Sequence, residues 1–323
     1  MLKVNKPSSN LNEFAIIETY FNRQPKRVEV IQSVGDDCAL IKPPVNALLA
    51  ISTDTLIEGT HFYSTIAAAD LGYKALAVNL SDLAAMGAEP AFILLSLTLQ
   101  EAKADWLLKF AEGFFELATE FNIDLVGGNI AKGPLSITVQ VQGYVKEGKQ
   151  LKRSAAQVGD LIFVSGELGT AGTALQTIKQ DLNINEAQKA VLMRAWQRPY
   201  PKINLGLILS DIAHAAIDIS DGLAADLTHL LQASQVGARL EESKLPIAQI
   251  VKEIFSYPEA LQLALTGGED YELCFTAPAQ YQSLLEKNYH CRAIGVIESE
   301  PGLRLQQVNG NILPLQQMGF RHF

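Results

Sequence analysis

The sequence predicts a mixed α+β fold that is divided into two domains. Its 323 residues exceed the size of one typical domain, and 48% of them are hydrophobic, as in proteins with a substantial core. Strand-like and helix-like segments are mixed in both halves, without the regular alternation of a βαβ array. The polar stretch at residues 146–150 contains a glycine, so we assign residues 1–148 to an N-terminal domain and residues 149–323 to a C-terminal domain.

Hydrophobic periodicity predicts the elements of the first half. Apolar residues at helical spacing predict helices at residues 13–21, 67–86 and 104–121. Apolar runs and alternating patterns predict strands at residues 48–52, 92–98, 123–126 and 135–145. We expect the first strand to be buried and to end at Thr53-Asp54. We expect the third strand to open into Gly127-Gly128-Asn129.

A second set of strands and helices follows in the other half. Short apolar runs predict strands at residues 161–165, 216–219, 272–276 and 292–297. Helical spacing predicts helices at residues 170–180, 186–197, 223–233 and 280–287. Gly166, Gly169 and Gly172 match no dinucleotide-binding spacing, so we interpret them as a turn from a strand to a helix.

Composition and charge argue against several classes of function. The net charge of -9 disfavours nucleic acid as the main partner. Residues 1–12 are polar, unlike a signal peptide, and the most apolar stretch, residues 91–99, is far shorter than the ~20 residues that span a bilayer. Cys38, Cys274 and Cys291 form no CxxC pair. We therefore expect a cytoplasmic protein with reduced thiols and with neither membrane nor nucleic-acid partners.

Four short acidic motifs lie at the ends of strand-like runs. The motifs are Gly35-Asp36-Asp37, Ser52-Thr53-Asp54, Asp218-Ile219-Ser220-Asp221-Gly222 and Gly267-Gly268-Glu269-Asp270. Two carboxylates about 4 Å apart repel by ~1 kcal/mol in water and by ~4 kcal/mol at an effective dielectric of about 20. A fold that gathers such groups needs cations, and ligand sets made of oxygen suit magnesium. Together with the glycine turns, the motifs predict metal-assisted phosphate chemistry.

Asp82 is a fifth carboxylate, in the nearly uncharged segment at residues 75–88. Asp and Glu are almost never fully buried unless they are paired. Asn79 lies three residues earlier and shares the helix face of Asp82. We therefore expect this polar pair to face a polar group.

Each acidic motif taken alone also has a purely structural explanation. Asp36 and Asp37 fit an Asx turn, Asp54 fits a cap, and Asp221-Gly222 fits a tight turn before a helix. No P-loop and no set of protein-kinase motifs occurs in the sequence. Phosphoryl transfer by this chain would therefore depend on metal ions held by carboxylates.

Several motifs together resemble those of the bacterial thiamine-monophosphate kinases. The two most specific are KALAVNLSDLAAMGA at residues 74–88 and GGEDYELCFT at residues 267–276. The shorter matches are residues 36–40, residues 52–56 with His61-Phe62, Arg153-Ser154 and residues 217–223. The likeness runs in the same order from about residue 13 to residue 323.

The resemblance implies a fold shared with aminoimidazole ribonucleotide synthetase, selenophosphate synthetase and a hydrogenase maturation factor. Members of the family are homodimers in which the N-terminal domains pair their sheets into an intersubunit β-barrel. The N-terminal domain would then bind ATP and magnesium and form the dimer, with ATP in the cleft between domains. The implied reaction is magnesium-dependent transfer of the ATP γ-phosphate, directly and in line, to thiamine monophosphate, which gives thiamine diphosphate.

The resemblance also assigns candidate site residues by position. Magnesium ligands would be Asp37, Ser52, Thr53, Asp54, Asp82 and Asn129, with Asp218 and Asp221 for further metal and Asp36 as an additional candidate. ATP would contact Gly128, Asn129, Arg153 and Ser220, with Arg153 holding a phosphate. Thiamine monophosphate would contact His61, Glu269 and Phe320. The implied catalytic residues are Asp54, Asp82 and Arg153.

The chain departs from the family pattern in the segment at residues 127–132 and at Phe320. The family has Gly-Gly-Asp-Thr where this chain has Gly127-Gly128-Asn129-Ile130, and Thr-Arg where it has Ala131-Lys132. Asn129 offers magnesium an amide oxygen without a charge, so we expect weaker binding of one metal ion and retained activity. Phe320 replaces the usual tyrosine or tryptophan and keeps an aromatic face.

The chemistry agrees with the implied reaction but leaves two alternatives open. A phosphate monoester is already an anionic oxygen nucleophile, so positioning and charge neutralisation matter more than a strong base. Another ATP-using member of the superfamily, such as an amidine-forming synthetase, has the same fold. Asn129 is also compatible with a catalytically weak nucleotide-binding regulator. Selenophosphate synthesis is disfavoured, because no cysteine precedes Cys38 as a reactive nucleophile.

Overall fold

The computed structural model describes residues 12–315 and residue 319. The chain divides into two compact units: unit one comprises Met1–Leu80 and Pro90–Tyr144, and unit two comprises Ser81–Glu89 and Val145–Phe323. Phe320 of the predicted substrate site lies outside the described residues. Among the residues that are described, no helix combines the length and the apolarity needed to cross a membrane.

Unit one contains a four-stranded sheet and a two-stranded sheet. The strands, in chain order, are β1 (Val30–Gln32), β2 (Leu40–Ile41), β3 (Ala47–Ile57), β4 (Glu89–Leu99), β5 (Asp124–Lys132) and β6 (Ser136–Lys146). The larger sheet has the order β3-β6-β4-β5, with β4 and β5 parallel, and β1 pairs with β2. The strands predicted at residues 92–98 and 135–145 are confirmed as β4 and β6.

Two expectations for the strand at residues 48–52 are wrong. β3 does not end at Thr53-Asp54 but continues to Ile57, and most of its residues are exposed rather than buried. The alternation of β-branched residues continues past Asp54, which a single carboxylate does not interrupt. β3 is the first strand in its sheet order, and within the described part of the chain β6 is its one neighbour. Its position at an edge accounts for its exposure.

The strand predicted at residues 123–126 also continues further than expected. β5 does not open into a loop at Gly127-Gly128-Asn129 but runs through this motif to Lys132. β4 pairs with it in parallel from Asp124 to Lys132, with a shift in register next to Ile93. Pairing with a neighbouring strand therefore keeps the glycines extended, and the irregularity is confined to one bulge.

The helices of unit one follow the predicted periodicity. They are α1 (Glu13–Ile16), which continues into a π-helical turn at Ile17–Phe21, α2 (Ala68–Ala85) and α3 (Ala104–Glu120). All residues from 71 to 80 are buried, which agrees with the alanine-rich sequence of α2. Gly87 follows α2 with a φ of 65°, a left-handed conformation that commonly ends a helix. The last turn of α2 belongs to unit two.

Unit two is built on one seven-stranded sheet. Its strands are β7 (Leu161–Val164), β8 (Ala215–Asp218), β9 (Gly237–Glu241), β10 (Leu273–Ala277), β11 (Arg292–Glu298), β12 (Gly302–Gln306) and β13 (Ile312–Pro314). The order is β13-β12-β9-β11-β7-β10-β8, and every neighbouring pair is antiparallel except β9 and β12. The four strands predicted in this half are confirmed as β7, β8, β10 and β11.

Helices cover this sheet through a continuous apolar core. They are α4 (Thr170–Gln180), α5 (Glu186–Gln197), α6 (Ile203–Leu209), α7 (Leu223–Ser234), α8 (Gln249–Ile254), α9 (Tyr257–Thr266) and α10 (Gln282–Tyr289). The predictions for α4, α5 and α7 are confirmed. The helix predicted at residues 280–287 begins two residues later, because a 3₁₀ turn at Ala279–Tyr281 precedes it. Ile217 of β8 and Leu227 of α7 lie in the core, which fixes the loop between these elements.

Candidate functional site

A cavity of about 930 Å³ in unit one is lined by several of the predicted site residues. Asp36, Asp37, Gly128 and Asn129 all border it, together with the apolar side chain of Leu95. The Asp36 carboxylate accepts a hydrogen bond of 2.9 Å from the Asp37 main-chain N–H. The structure therefore brings two of the sequence motifs, residues 35–37 and 127–129, to one cavity of a size typical for small ligands, with a largely apolar wall that also carries polar groups.

Gly128 is required by the close approach of β4 and β5. Its φ is 151°, and a Cβ atom at this position would lie 1.9 Å from the carbonyl oxygen of Leu95. No side chain can be accommodated at that distance, so at Gly128 the main chain of β5 borders the cavity directly, without a side chain to cover it. Asn129 follows directly, and its side chain is exposed.

The motif at residues 52–54 is positioned by β3 and by the buried side chain of Asn79. The Asp54 N–H donates to Asn79 Oδ1 at 2.9 Å, and the Asn79 amide donates to the Ala75 carbonyl at 2.9 Å. Ser52 and Asp54 lie on one face of the strand and Thr53 on the other, because successive strand residues alternate. The Thr53 hydroxyl donates to the Val139 carbonyl at 3.1 Å. Of these three, Ser52 and Asp54 thus share a face.

His61 is held by the turn that follows β3. Its Nδ1 accepts a hydrogen bond of 3.1 Å from the Ile57 main-chain N–H. An accepting Nδ1 leaves the hydrogen of the neutral ring on Nε2. The ring of His61 is therefore oriented so that Nε2 can donate to an anionic or polar group.

Asp82 and Asp218 interact within unit two. Burial, and to a smaller extent the negative charge of Asp82, together raise the pKa of Asp218 to about 7. The Ser81 hydroxyl and the guanidinium of Arg153 act in the opposite direction. Two carboxylates that repel each other are stabilised by a cation, so this pair fits a divalent metal. Asp82 and Arg153 thus both lie close enough to Asp218 to affect its pKa.

Asp226 is a functional candidate that the sequence analysis missed. One of its carboxylate oxygens accepts hydrogen bonds from the main-chain N–H groups of Ser220, Asp221 and Gly222, at 3.0, 3.0 and 3.1 Å. Burial, and to a smaller extent the charge of Asp221, together raise the pKa of Asp226 to about 7, although the three N–H donors act in the opposite direction. Asp226 therefore fixes the loop that carries Ser220 and Asp221. A carboxylate inside the apolar run at residues 223–227 was the signal in the sequence.

The Gly267-Gly268-Glu269-Asp270 motif packs against the same loop. The Glu269 N–H donates to the Ser220 carbonyl at 2.8 Å, so two of the sequence motifs meet here. Asp270 accepts hydrogen bonds from the N–H groups of Gly169 and Ala171, at 2.7 and 3.3 Å. These donors belong to the first turn of α4, where a carboxylate is favoured. The interpretation of Gly169 as part of a strand-to-helix turn is confirmed, since α4 begins at the next residue.

The side chain of Glu269 is held by aromatic residues. Trp196 Nε1 donates to Glu269 Oε2 at 3.0 Å, and the Tyr271 hydroxyl lies 3.4 Å from Glu269 Oε1. Glu269 and Tyr271 have φ values of 71° and 50°, in the left-handed region that costs non-glycine residues energy. Trp196 is a second residue that the sequence analysis missed.

Within residues 12–315 and residue 319, no three His, Cys, Asp or Glu side chains lie close enough together to hold a metal ion. The convergence of several carboxylates expected from the sequence is thus limited to pairs. Magnesium is commonly bound by one or two carboxylates together with substrate phosphates and water. The pair formed by Asp82 and Asp218 and the pair formed by Asp36 and Asp37 fit that kind of ligation.

Models of known families match both halves of the chain. The N-terminal domain of the AIR synthase related proteins matches residues 35–145, and the C-terminal domain of the same proteins matches residues 157–308. Together the two matches cover most of the sequence.

Relatives with known names are similar over nearly the full length. The thiamine-monophosphate kinase of Haemophilus influenzae is 44% identical over 298 residues, which are 90% of this chain and 91% of the relative. The crystal structure of the thiamine-monophosphate kinase from Stenotrophomonas maltophilia has a TM-score of 0.83 at 43% identity, covering 87% of this chain and 92% of that one. A structure of AaThiL complexed with AMPPCP and TMP has a TM-score of 0.78 at 32% identity, covering 90% and 92%.

Proposed function

The chain belongs to the AIR synthase related family, and we propose on that basis that it phosphorylates thiamine monophosphate to thiamine diphosphate with ATP. The observation that carries the proposal is 44% identity to a thiamine-monophosphate kinase over 90% of the chain. The similarity to a structure bound to AMPPCP and TMP, at 32% identity, supports the same pair of substrates. The protein is thus a phosphotransferase whose acceptor is a phosphate group.

In the proposed reaction, a phosphate oxygen of thiamine monophosphate attacks the γ-phosphorus of ATP in line. A bond forms between that oxygen and the γ-phosphorus while the bond to the β-phosphate oxygen breaks, and ADP leaves. The nucleophile is already an anion, so no strong general base is needed. The protein contributes positioning and neutralisation of charge. We place the reaction in the cytoplasm, where ATP is available.

The two units contribute different residues to this proposal. In unit one we assign the cavity lined by Asp36, Asp37, Gly128 and Asn129 to the nucleotide. The face of β3 that carries Ser52 and Asp54 would ligate metal. Magnesium held there would neutralise negative charge on the phosphate groups of the substrates.

In unit two, Asp82, Asp218 and Asp221 would ligate metal. Arg153 would hold a phosphate, which agrees with its effect on Asp218. Ser220 would contact the nucleotide through the loop that Asp226 fixes. Glu269 would contact thiamine monophosphate, with its carboxylate opposite the cationic ring.

We also propose that the protein acts as a homodimer. β3 presents an apolar row to solvent: the side chains of Leu49, Ile51 and Ile57 are on one face, and 46%, 57% and 47% of their surfaces are exposed. A strand at the edge of a sheet with such a face is a site for association. The resemblance described above supports pairing between the N-terminal sheets of two copies.

A coupled assay of ADP release tests the proposed reaction. ATP and magnesium are supplied with thiamine monophosphate, with thiamine, or with no acceptor. Release of ADP that requires thiamine monophosphate, with formation of thiamine diphosphate, is the expected result. The control is a variant with Asp82 changed to Ala. It should lose turnover with little loss of stability, because the change removes a repulsion with Asp218.

The uncharged Asn129 favours a second candidate, a nucleotide-binding regulator with little catalytic activity. Tight binding of ATP without ADP release in the presence of any thiamine compound would support the regulator and refute the kinase. If Asp82 and Asp54 variants unfold and the wild type ignores magnesium, these carboxylates are structural instead.

A further inference from the structure

Trp196 is a buried hydrogen-bond donor whose acceptor is a residue of the candidate site. It lies near the end of α5, and only 2% of its surface is exposed. Its indole N–H donates to Glu269 Oε2 at 3.0 Å. A buried indole N–H needs an acceptor, and a carboxylate is the strongest one available from a side chain.

Hydrogen bonds hold both the main chain and the carboxylate of Glu269. Its left-handed backbone, with φ of 71°, is stabilised by the hydrogen bond from its N–H to the Ser220 carbonyl. The next residue, Asp270, is tied to the first turn of α4. Tyr271 places its hydroxyl 3.4 Å from the second carboxylate oxygen, and only 8% of Tyr271 is exposed. The carboxylate thus has one aromatic donor at each oxygen.

We propose that Trp196 is a positioning residue that orients the Glu269 carboxylate toward the cationic thiazolium ring of thiamine monophosphate. The inference rests on the function proposed above and deepens it. Trp196 is too deeply buried to contact a substrate, so it acts through Glu269. Its N–H restricts rotation of the carboxylate before the substrate binds. Binding of the cationic ring therefore costs less side-chain entropy at Glu269.

This arrangement makes Trp196 a determinant of selectivity for a positively charged ring. A misoriented carboxylate attracts a cation less strongly, whereas a neutral ring of the same shape is hardly affected. Loss of the donor should therefore reduce the preference for the cationic substrate. A residue with only a structural role would lower stability without changing this preference.

The test compares Trp196→Phe with the wild type and with Glu269→Gln. Phenylalanine retains an aromatic ring but lacks the N–H. We expect the KM for thiamine monophosphate to rise about three- to tenfold in Trp196→Phe, as for loss of one ordinary hydrogen bond, because the lost bond acts on the substrate only through Glu269. The KM for ATP should stay unchanged. Trp106→Phe is the matched control, because Trp106 stacks on Phe110 in unit one and should leave both KM values unchanged.

A neutral competitor provides the second readout. In an analogue of thiamine monophosphate, the quaternary ring nitrogen is replaced by carbon. Trp196→Phe and Glu269→Gln should both weaken binding of the cationic substrate and leave binding of the neutral analogue unchanged. The double variant should lose no more affinity for the cationic substrate than Glu269→Gln alone, because Trp196 acts through that carboxylate. Additive losses in the double variant would overturn the inference.

Fluorescence keeps the inference testable if Trp196→Phe fails to fold. The chain has two tryptophans, so Trp106→Phe leaves Trp196 as the single tryptophan reporter. Saturating thiamine monophosphate should change its emission by more than the neutral analogue does, because the cation alters the field at Glu269. Equal responses, or none, would overturn the inference. If wild-type protein phosphorylates thiamine monophosphate and these readouts fail, only the role of Trp196 is wrong. If wild-type protein does not, the proposed function itself is wrong.

Discussion

One oxygen of Asp226 accepts three main-chain hydrogen bonds and so determines where the loop after β8 lies. The main chain of Ser220 and Asp221 is held in place, because their own N–H groups are two of the donors. Charge strengthens these bonds, since a carboxylate is a better acceptor than an amide. The positions of two candidate ligands thus depend on a third residue that need not touch either substrate.

We predict that Asp226→Asn lowers kcat/KM for ATP at least about tenfold and the free energy of unfolding by about 1–3 kcal/mol. The amide keeps the shape of the side chain but loses the charge that holds three donors. Steady-state kinetics and urea denaturation measure the two effects. Asp181→Asn is the control, because Asp181 is exposed and left-handed, a conformation that asparagine tolerates. A loss of stability with unchanged kinetics would show that the loop is not part of the site.

Asn129 gives a prediction about metal affinity. Asn129→Asp should lower the magnesium concentration for half-maximal activity by about three- to tenfold, since additional ligand charge strengthens binding of divalent cations. Magnesium titration of the ADP-release rate is the measurement. Asn122→Asp, at an exposed position in unit one, is the control. An unchanged magnesium requirement would place residue 129 outside the metal site.

Residues that act directly could be predicted from the sequence, whereas residues that act through others could not. Asp36, Asp82 and Glu269 occur in motifs whose residue types indicate their chemistry. Trp196 lies outside those motifs, Asp226 closely follows one of them in the sequence, and the hydrogen bonds of the structure show what each residue does. The criterion that identified Asp82, a carboxylate in an apolar helix, applies equally to Asp226, which is 4% exposed.

At the scale of the elements, the close contact between β4 and β5 beside the cavity restricts which residue can occupy position 128. Gly127 and Gly128 differ sharply although they are adjacent. A Cβ atom on Gly127 would meet the end of a flexible Leu94 side chain at 3.1 Å, whereas one on Gly128 would meet the Leu95 carbonyl at 1.9 Å. Only the second contact involves atoms that cannot move without separating the strands.

We predict that Gly128→Ala destabilises the protein by at least about 2 kcal/mol and weakens binding of ATP, because the strands must separate to admit the methyl group. Gly127→Ala is the matched control and should cost about 1 kcal/mol or less. Thermal unfolding with and without ATP and magnesium measures both effects. Equal stability of the two variants would contradict the close approach of the strands.

The elements themselves differ in how well the sequence predicts them. The bounds of α4 and α5 match the predicted residues, because helical periodicity is local. The ends of β3 and β5 were wrong, because they depend on pairing with β6 and β4, which lie far away in the sequence. The strands β1, β2, β9, β12 and β13 and the helices α6, α8 and α9 were not predicted. Most of them are short, and short segments leave few residues in which a period can be recognised.

At the scale of the whole molecule, the exposed row on β3 gives a prediction about assembly. Ile51→Glu should convert a dimer into a monomer of 35.2 kDa and reduce kinase activity, because it places charges in the centre of the apolar face. Val308→Glu is the control, since Val308 is an exposed apolar residue of unit two. Sedimentation at micromolar concentration distinguishes the species. A monomeric wild type would refute the dimer.

The class of the fold and the family could be derived from the sequence, but the order of the strands could not. Composition and mixed periodicity indicated α+β domains, and the motifs at residues 74–88 and 267–276 indicated the family. Neither shows that β9 and β12 pair in parallel inside an otherwise antiparallel sheet. The paired residues, such as Gly237 and Gly302, are far apart in the sequence. Packing of the whole unit selects this pairing among the possible ones.

The left-handed backbone of Glu269 has a consequence for evolution and engineering. Glycine or asparagine would relieve that strain by up to about 1 kcal/mol, so a search for thermal robustness favours exchanging this residue. Selection for formation of the reaction product favours keeping the glutamate. The two kinds of selection therefore act in opposite directions at residue 269: glutamate maintains activity and lowers the stability of the protein.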